Sequence, residues 1–364
     1  MPAEPQADAM PEGARILTIC NACRYCEGYC AVFPALELRT NFDPADLGYL
    51  ANLCHNCAEC YYACQYAPPH EFAVNVPKTL AEIRSRSYQH YAWPSPLAAL
   101  FQRNGLIVFL ALAAALFLWI AATNGSASAG AQFYQVVSHR ALVTVFGGVS
   151  IFVLIALASG VIHFWRESGD SPANLSAVKQ GANDAFRLTY LHGGGPGCTY
   201  PQEHRSLARW WFHHLTFYGF LFCVASTSVA AIYHYVFGWP APYDYLSLPV
   251  VLGTLGGSGL LAGPAGLFWL KRRSAVATRD PQQDGTDLAF IAVLFSTSAT
   301  GLLLLALRET SVMAELLAIH LAAVLALFLT MPYGKFVHGL YRMAALVRYA
   351  LERSQAKGRN TSGH

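Results

Sequence analysis

An all-α fold in two parts is predicted for this chain: a polar, cysteine-bearing head, then a bundle of six membrane-crossing helices. Three observations carry the prediction. The 364 residues are 54% hydrophobic and only 12% charged, whereas ordinary soluble domains carry about a quarter charged residues. Residues 1–96 contain no long apolar run, but six follow further on, each near the ~20 residues that cross a bilayer. Finally, 22 of the 24 Lys and Arg fall on one side of the resulting map, as the positive-inside rule requires.

Residues 1–14 lack the basic start and apolar run of a secretory signal, so the N-terminus is expected in the reducing cytoplasm, as a flexible tail. The net charge of +3 is too small to argue for a nucleic-acid partner. Residues 15–96 form the head. They hold eight of the ten cysteines, in two combs with identical gaps, "CNACRYCEGYC" (Cys20, Cys23, Cys26, Cys30) and "CHNCAECYYAC" (Cys54, Cys57, Cys60, Cys64). Zinc sites take separated ligand pairs, often with His. The C-x2-C-x2-C-x3-C run instead wraps one [4Fe–4S] cubane with three thiolates and sends its fourth cysteine to a second cluster. One cluster is therefore assigned to Cys20, Cys23, Cys26 and Cys64, the other to Cys54, Cys57, Cys60 and Cys30. The proline that usually follows the fourth cysteine is absent, since Ala31 and Gln65 stand there. With "PADLGYLANL" between the combs, this favours an α-helical ferredoxin-like domain over the small β-rich one.

"WPSP" at Trp93–Pro96 punctuates the chain, and residues 97–345 follow as the membrane part. Its spans are expected at about 104–122, 141–165, 210–236, 248–270, 286–307 and 312–334, near the ~20-residue crossing length. With the N-terminus inside, only Arg140 and Arg308 fall outside. Both termini, including a C-terminal tail at 346–364, are then cytoplasmic, and the membrane is the inner one. The fourth span is rich in Gly and other small residues and reads as a packed interior helix. The cytoplasmic loop 166–209 contains "HGGGPGCTYP". It reads either as a flexible surface loop or as an element docked on the cluster domain; no Gly-Lys-Ser/Thr follows, which excludes a P-loop. Cys223 reads as a small core residue, and no role is assigned to Cys198.

Ionisable side chains in membrane helices are functional candidates. His320 and His338 lie 18 residues apart, five whole turns, so on one continuous sixth helix they share a face about 27 Å apart. The third helix runs from His213 and His214 to His234. Antiparallel pairing puts His213 or His214 in one leaflet with His338, and His234 in the other with His320. Facing histidines of this kind hold b-type haem, one firmly indicated and two at most. Helix phase places His213 about 60° from His234 and His214 about 160° away, which favours His213. His139, His163, His192 and His204 read as unligated interface histidines.

On the combs and on "GGGPGCTYP", "HHLTFYGF", "YHYVFGWPAPY", "LGTLGGSGLLAGPAGLFWLK" and "LALFLTMPYGKFVHGLYR", the chain resembles the tricarballylate/citrate utilisation protein B family along most of its length. Relatives of that family include the iron–sulfur and haem part of a fused enzyme of cobalamin ring contraction. The membrane half is similar to the cytochrome b subunit of respiratory nitrate reductases. There, two histidines 18 apart with a Pro-aromatic-x-basic-x-x-His signature bind two haems; His320, His338, Pro332, Tyr333 and Lys335 match them. A histidine ten residues after His213 or His214 is missing, since Cys223 or Val224 stands there. The resemblance implies an electron-transfer subunit that reoxidises a partner FAD-dependent dehydrogenase of the tricarballylate type and reduces quinone. The same wiring serving a cobalamin-biosynthesis flavoprotein is the alternative; a redox sensor or transporter is the more distant one. No dinucleotide fingerprint is present, so the electrons must come from another protein.

Overall fold

The computed structural model describes residues 9–124, 133–169, 171–192 and 204–361. Among them the regular structure is helical, with no strand. The Gly-rich stretch 193–197 and Cys198 lie outside the described residues.

The head is built on three helices, α1 (Ala9–Cys23), α2 (Pro44–Leu53) and α3 (Val76–Tyr91). Local sequence sets their starts. Asp43 accepts from the Asp46 amide and Pro44 occupies the first turn of α2; Asn75 accepts from the Lys78 amide ahead of α3. Such caps satisfy amides that the first helical turn leaves without partners. The expected tail 1–14 is partly structured, since α1 begins at Ala9 and buries Ala9 and Gly13.

Six helices are long and apolar enough to cross a membrane: α4 (Gly105–Asn124), α5 (His139–Glu167), α7 (Ala208–Tyr235), α8 (Leu248–Arg273), α9 (Gln283–Leu307) and α10 (Met313–Thr330). The chain is thus a multi-pass membrane protein of the predicted span count. Between α5 and α7 the loop forms α6 (Leu175–Phe186). The expected interior position of α8 holds for one face only: it packs between α7 and α9 on its glycines and leaves Leu248, Leu255 and Trp269 exposed. A Cβ on Gly256 would stand 2.8 Å from the Cys223 amide nitrogen and the Gly219 oxygen, so small residues let α7 and α8 touch backbone to backbone. Cys223 is part of this seam.

Two expectations need correction. The sixth span does not run on to His338. It stops at Thr330, residues 331–336 form a turn, and α11 (Val337–Thr361) begins afterwards. Pro332 explains the break, because its ring lacks an N–H and collides with the preceding turn. His320 and His338 are therefore on different helices, and the shared-face argument fails. Nor is 346–364 a free tail. Tyr341, Ala345, Leu346 and Tyr349 of α11 join Leu17, Tyr49, Leu50, Ile83 and Phe164 in one buried core. Arg39 bridges Asp46 (2.5 Å) and Glu352 (2.7 Å), and the Tyr49 hydroxyl donates to Glu352 at 3.1 Å. The boundary drawn at residue 345 thus cuts through a helix that the head needs.

Candidate functional site

The combs fold by leaving helices behind. Cys20 and Cys23 end α1, and the next residue, Arg24, has φ +56°. In the second comb Asn56 (φ +56°) and Ala58 (φ +63°) flank Cys57. Left-handed conformations cost about 1–2 kcal/mol in residues with a Cβ, and here they turn the chain sharply within each comb. The Asn56 amide donates to Cys54 Sγ at 3.3 Å.

The thiols sort into two nests. The cysteines that most perturb Cys20 are Cys26, Cys64 and Cys23, whereas for Cys30 they are Cys57 and Cys54. Cys64 is thus a neighbour of Cys20 and Cys26, and Cys30 a neighbour of Cys54 and Cys57, while Cys57 also acts on Cys26 and Cys26 on Cys60. Burial, reinforced by neighbouring thiols, pushes Cys20 and Cys26 up to about 12 and raises Cys30 and Cys60 well above the ordinary thiol range. Thiols so crowded would ionise only around a cationic centre that offsets their charge. Among the described residues no three comb sulfurs come within 4.8 Å of one another. Four thiolates around one zinc at ~2.3 Å would lie about 3.8 Å apart, closer than any three of these sulfurs stand. A cavity opens at the first nest, lined by Cys20, Cys23, Cys26 and Cys64, by Cys60 of the second comb, and by Tyr25. Tyr25 at its rim is 66% exposed, whereas Cys54 and Cys57 are buried.

Behind the second nest stand the histidines. His213 on α7 and His338 on α11 face each other, ring centres 5.9 Å apart and planes 23° from parallel. Two imidazoles binding one metal through bonds of ~2.0–2.1 Å would bring their ring centres about 6 Å apart, so His213 and His338 are the residues that would hold a metal-centred group between them. His338 Nδ1–H donates to the Lys335 carbonyl, which leaves Nε2 with its lone pair. Burial, then Lys335, pushes His338 down to about 3 and keeps it neutral. His213 Nδ1 is buried without a protein partner. His214 turns elsewhere: it donates to the Trp210 carbonyl (3.0 Å), with its ring 3.9 Å from that of Trp210.

The second expected pair is not brought together. His234 stacks on His139, ring centres 4.1 Å apart, beside Tyr134 and Tyr235. His320 instead meets Thr300 Oγ1 at 3.1 Å and lies against Gly301. The reason is helix order: α7 packs on α8, α8 on α9 and α9 on α10, so two helices separate α7 from α10.

Several site residues escaped sequence reading. Arg209, one turn before His213, donates to the His55 and Asn56 carbonyls at 2.7 and 2.8 Å. Arg342, one turn after His338, donates to the Cys54 carbonyl and to His55 Nδ1. Arg84 reaches the Cys54 carbonyl at 2.6 Å. Arg205 pairs with buried Glu59 at 3.0 Å, so loop 166–209 does dock on the head. Asp287 binds Lys271 (2.6 Å) and Lys335, anchoring the turn that carries His338. A His inside "CHNC" was the available signal for His55; the arginines carried none.

Residues 13–90 match the family model described as the citrate utilization protein B Fer4-like domain, and residues 94–359 match citrate utilization protein B. The curated citrate utilization protein B of Escherichia coli is 48% identical over 367 residues, covering 99% of this chain and 96% of that protein. No solved structure matches.

Proposed function

The chain belongs to the citrate utilization protein B family, and from that premise we propose that it is a membrane electron-transfer subunit. It takes electrons from a partner FAD-dependent dehydrogenase of the tricarballylate or citrate-utilisation type and delivers them to quinone. Cys20, Cys23, Cys26 and Cys64 hold one [4Fe–4S] cluster; Cys54, Cys57, Cys60 and Cys30 hold the other. His213 and His338 hold one b-type haem. When bound, these groups supply one-electron carriers, which no side chain of the protein replaces.

The carrying observation is the double bridge behind the second comb. α7 and α11 each place an arginine on the backbone of Cys54–Asn56 and, one turn away, a histidine facing the other helix. The rest supports a direction. The open, aromatic-rimmed first nest suits contact with a flavoprotein; the buried second nest lies next to the histidines. Because His234 and His320 have separate surroundings, the reading assigns one haem.

The test reconstitutes the full chain in lipid with a tricarballylate-oxidising FAD dehydrogenase and a soluble quinone analogue, under anaerobic conditions. Substrate should drive quinone reduction that requires both proteins. Unchanged reduction when the chain is omitted, or when Cys57→Ala replaces it, overturns the proposal.

A further inference from the structure

At the seam between head and bundle, α3 ends beside the last turns of α5. Gly160 permits the approach, because a Cβ there would stand 3.1 Å from the Tyr91 carbonyl oxygen and 2.5 Å from the Tyr341 hydroxyl. One turn later, the His163 ring centre lies 5.1 Å from that of His90. His163 and Glu167 are four residues apart and so share a helix face. His90 Nε2 is 3.0 Å from Glu167 Oε2, and one ligand atom from each of the three side chains lies within 4.8 Å of the others. Tyr91 hydrogen-bonds Glu167, and its ring meets His163 edge-on at 5.3 Å.

We propose that His90, His163 and Glu167 bind one divalent cation of the zinc class. Two neutral imidazoles and one carboxylate make a donor set suited to zinc and its first-row neighbours. Magnesium and calcium want more oxygens, and an iron–sulfur cluster wants thiolates. Three protein ligands leave a position for water, and the side chains of His90 and Glu167 are 56% and 33% exposed, so water reaches the site. Tyr91 orients the carboxylate from outside, as partners of metal ligands commonly do. The location is compatible with hydrated chemistry. A helix of 29 residues is about 44 Å long and outruns the ~30 Å hydrocarbon core, which leaves its final turns in the interface. His163 is therefore a ligand here, not the unligated interface histidine that the sequence suggests. The cation would clip the head, through His90, to the second membrane helix. Neither the thiol nests nor the His213–His338 pair takes part, so the site stands whatever the fate of the proposed electron path.

The test uses the full chain with its iron in place, purified without a polyhistidine tag. It is incubated with ZnCl2, desalted and assayed for zinc and iron, beside Glu167→Gln and His163→Ala. The expected result is one zinc per wild-type chain and its loss from both variants, with iron content and visible spectrum unchanged. Equal zinc in all three proteins, or none in wild type, overturns the site. Should a variant lose its iron and so prove misfolded, CoCl2 titration of the wild type decides. Saturable d–d absorption at one equivalent, displaced by zinc, supports the site; its absence overturns it.

Discussion

Arg342 donates to the carbonyl of Cys54 one helical turn beyond His338, so a single helix joins the second cysteine nest to the candidate haem ligand. Arg209 repeats the arrangement from α7, one turn before His213. The two arginines fix the distance between nest and histidines, and they place positive charge where an incoming electron would reside.

Arg342→Gln removes that charge while keeping a polar side chain. At a separation of ~7 Å and an effective dielectric of about 20, one charge is worth roughly 2 kcal/mol. The second cluster's midpoint potential should therefore fall by on the order of 50–100 mV. Redox titration followed by electron paramagnetic resonance measures this; an unchanged potential contradicts the role.

The two neighbouring histidines should behave oppositely. His213→Ala should abolish haem binding, as should His338→Ala, while both variants keep their cluster iron. His214→Ala should keep the haem, since that ring is turned toward Trp210. Pyridine haemochrome content of the three purified variants decides.

The C-terminal helix should prove indispensable. Removing residues after Ala345 deletes Leu346, Tyr349 and Glu352 from the head's core and leaves Arg39 without its second carboxylate. The loss of that carboxylate adds to the loss of apolar packing. The truncated chain should fail to retain iron, whereas truncation after Arg359 should retain it. A reporter fused after Ser354 should locate to the cytoplasm, together with the head that α11 packs against.

Cluster removal should expose a pH dependence. In the metal-free fold burial, then neighbouring thiols (Cys26 for Cys20, Cys64 for Cys26), pushes Cys20 and Cys26 up to about 12, against about 8.5 in an unfolded chain. Between those values the folded state holds more protons than the unfolded state, so its stability falls as pH rises. The Tm of the chelator-treated protein should drop between pH 8 and 10.5. A rising Tm contradicts the assignment of buried, neutral thiols.

Much of this was legible in the sequence because it is written in local spacing. The comb spacing also carries the proposal of which thiols share a cluster, since three cysteines at intervals of three leave the fourth for the other one. The six spans follow from apolar length, and the close α7–α8 contact from the small residues of α8. Long-range geometry was less legible. Five whole turns between His320 and His338 presuppose an unbroken helix, and Pro332 breaks it. The pairing of His234 with His320 presupposed adjacent helices, but α8 and α9 intervene. Arg84, Arg209 and Arg342 looked like cytoplasmic charge for orienting the spans. Only tertiary packing turns them onto the backbone of Cys54–Asn56.

The central claim is most directly tested by cofactor content of the intact chain purified anaerobically: iron, acid-labile sulfide, zinc and haem on one sample. The account predicts about eight cluster irons with matching sulfide, in two four-iron centres, and one haem b. Zinc in the cysteine nests, or no Soret absorbance, would contradict it.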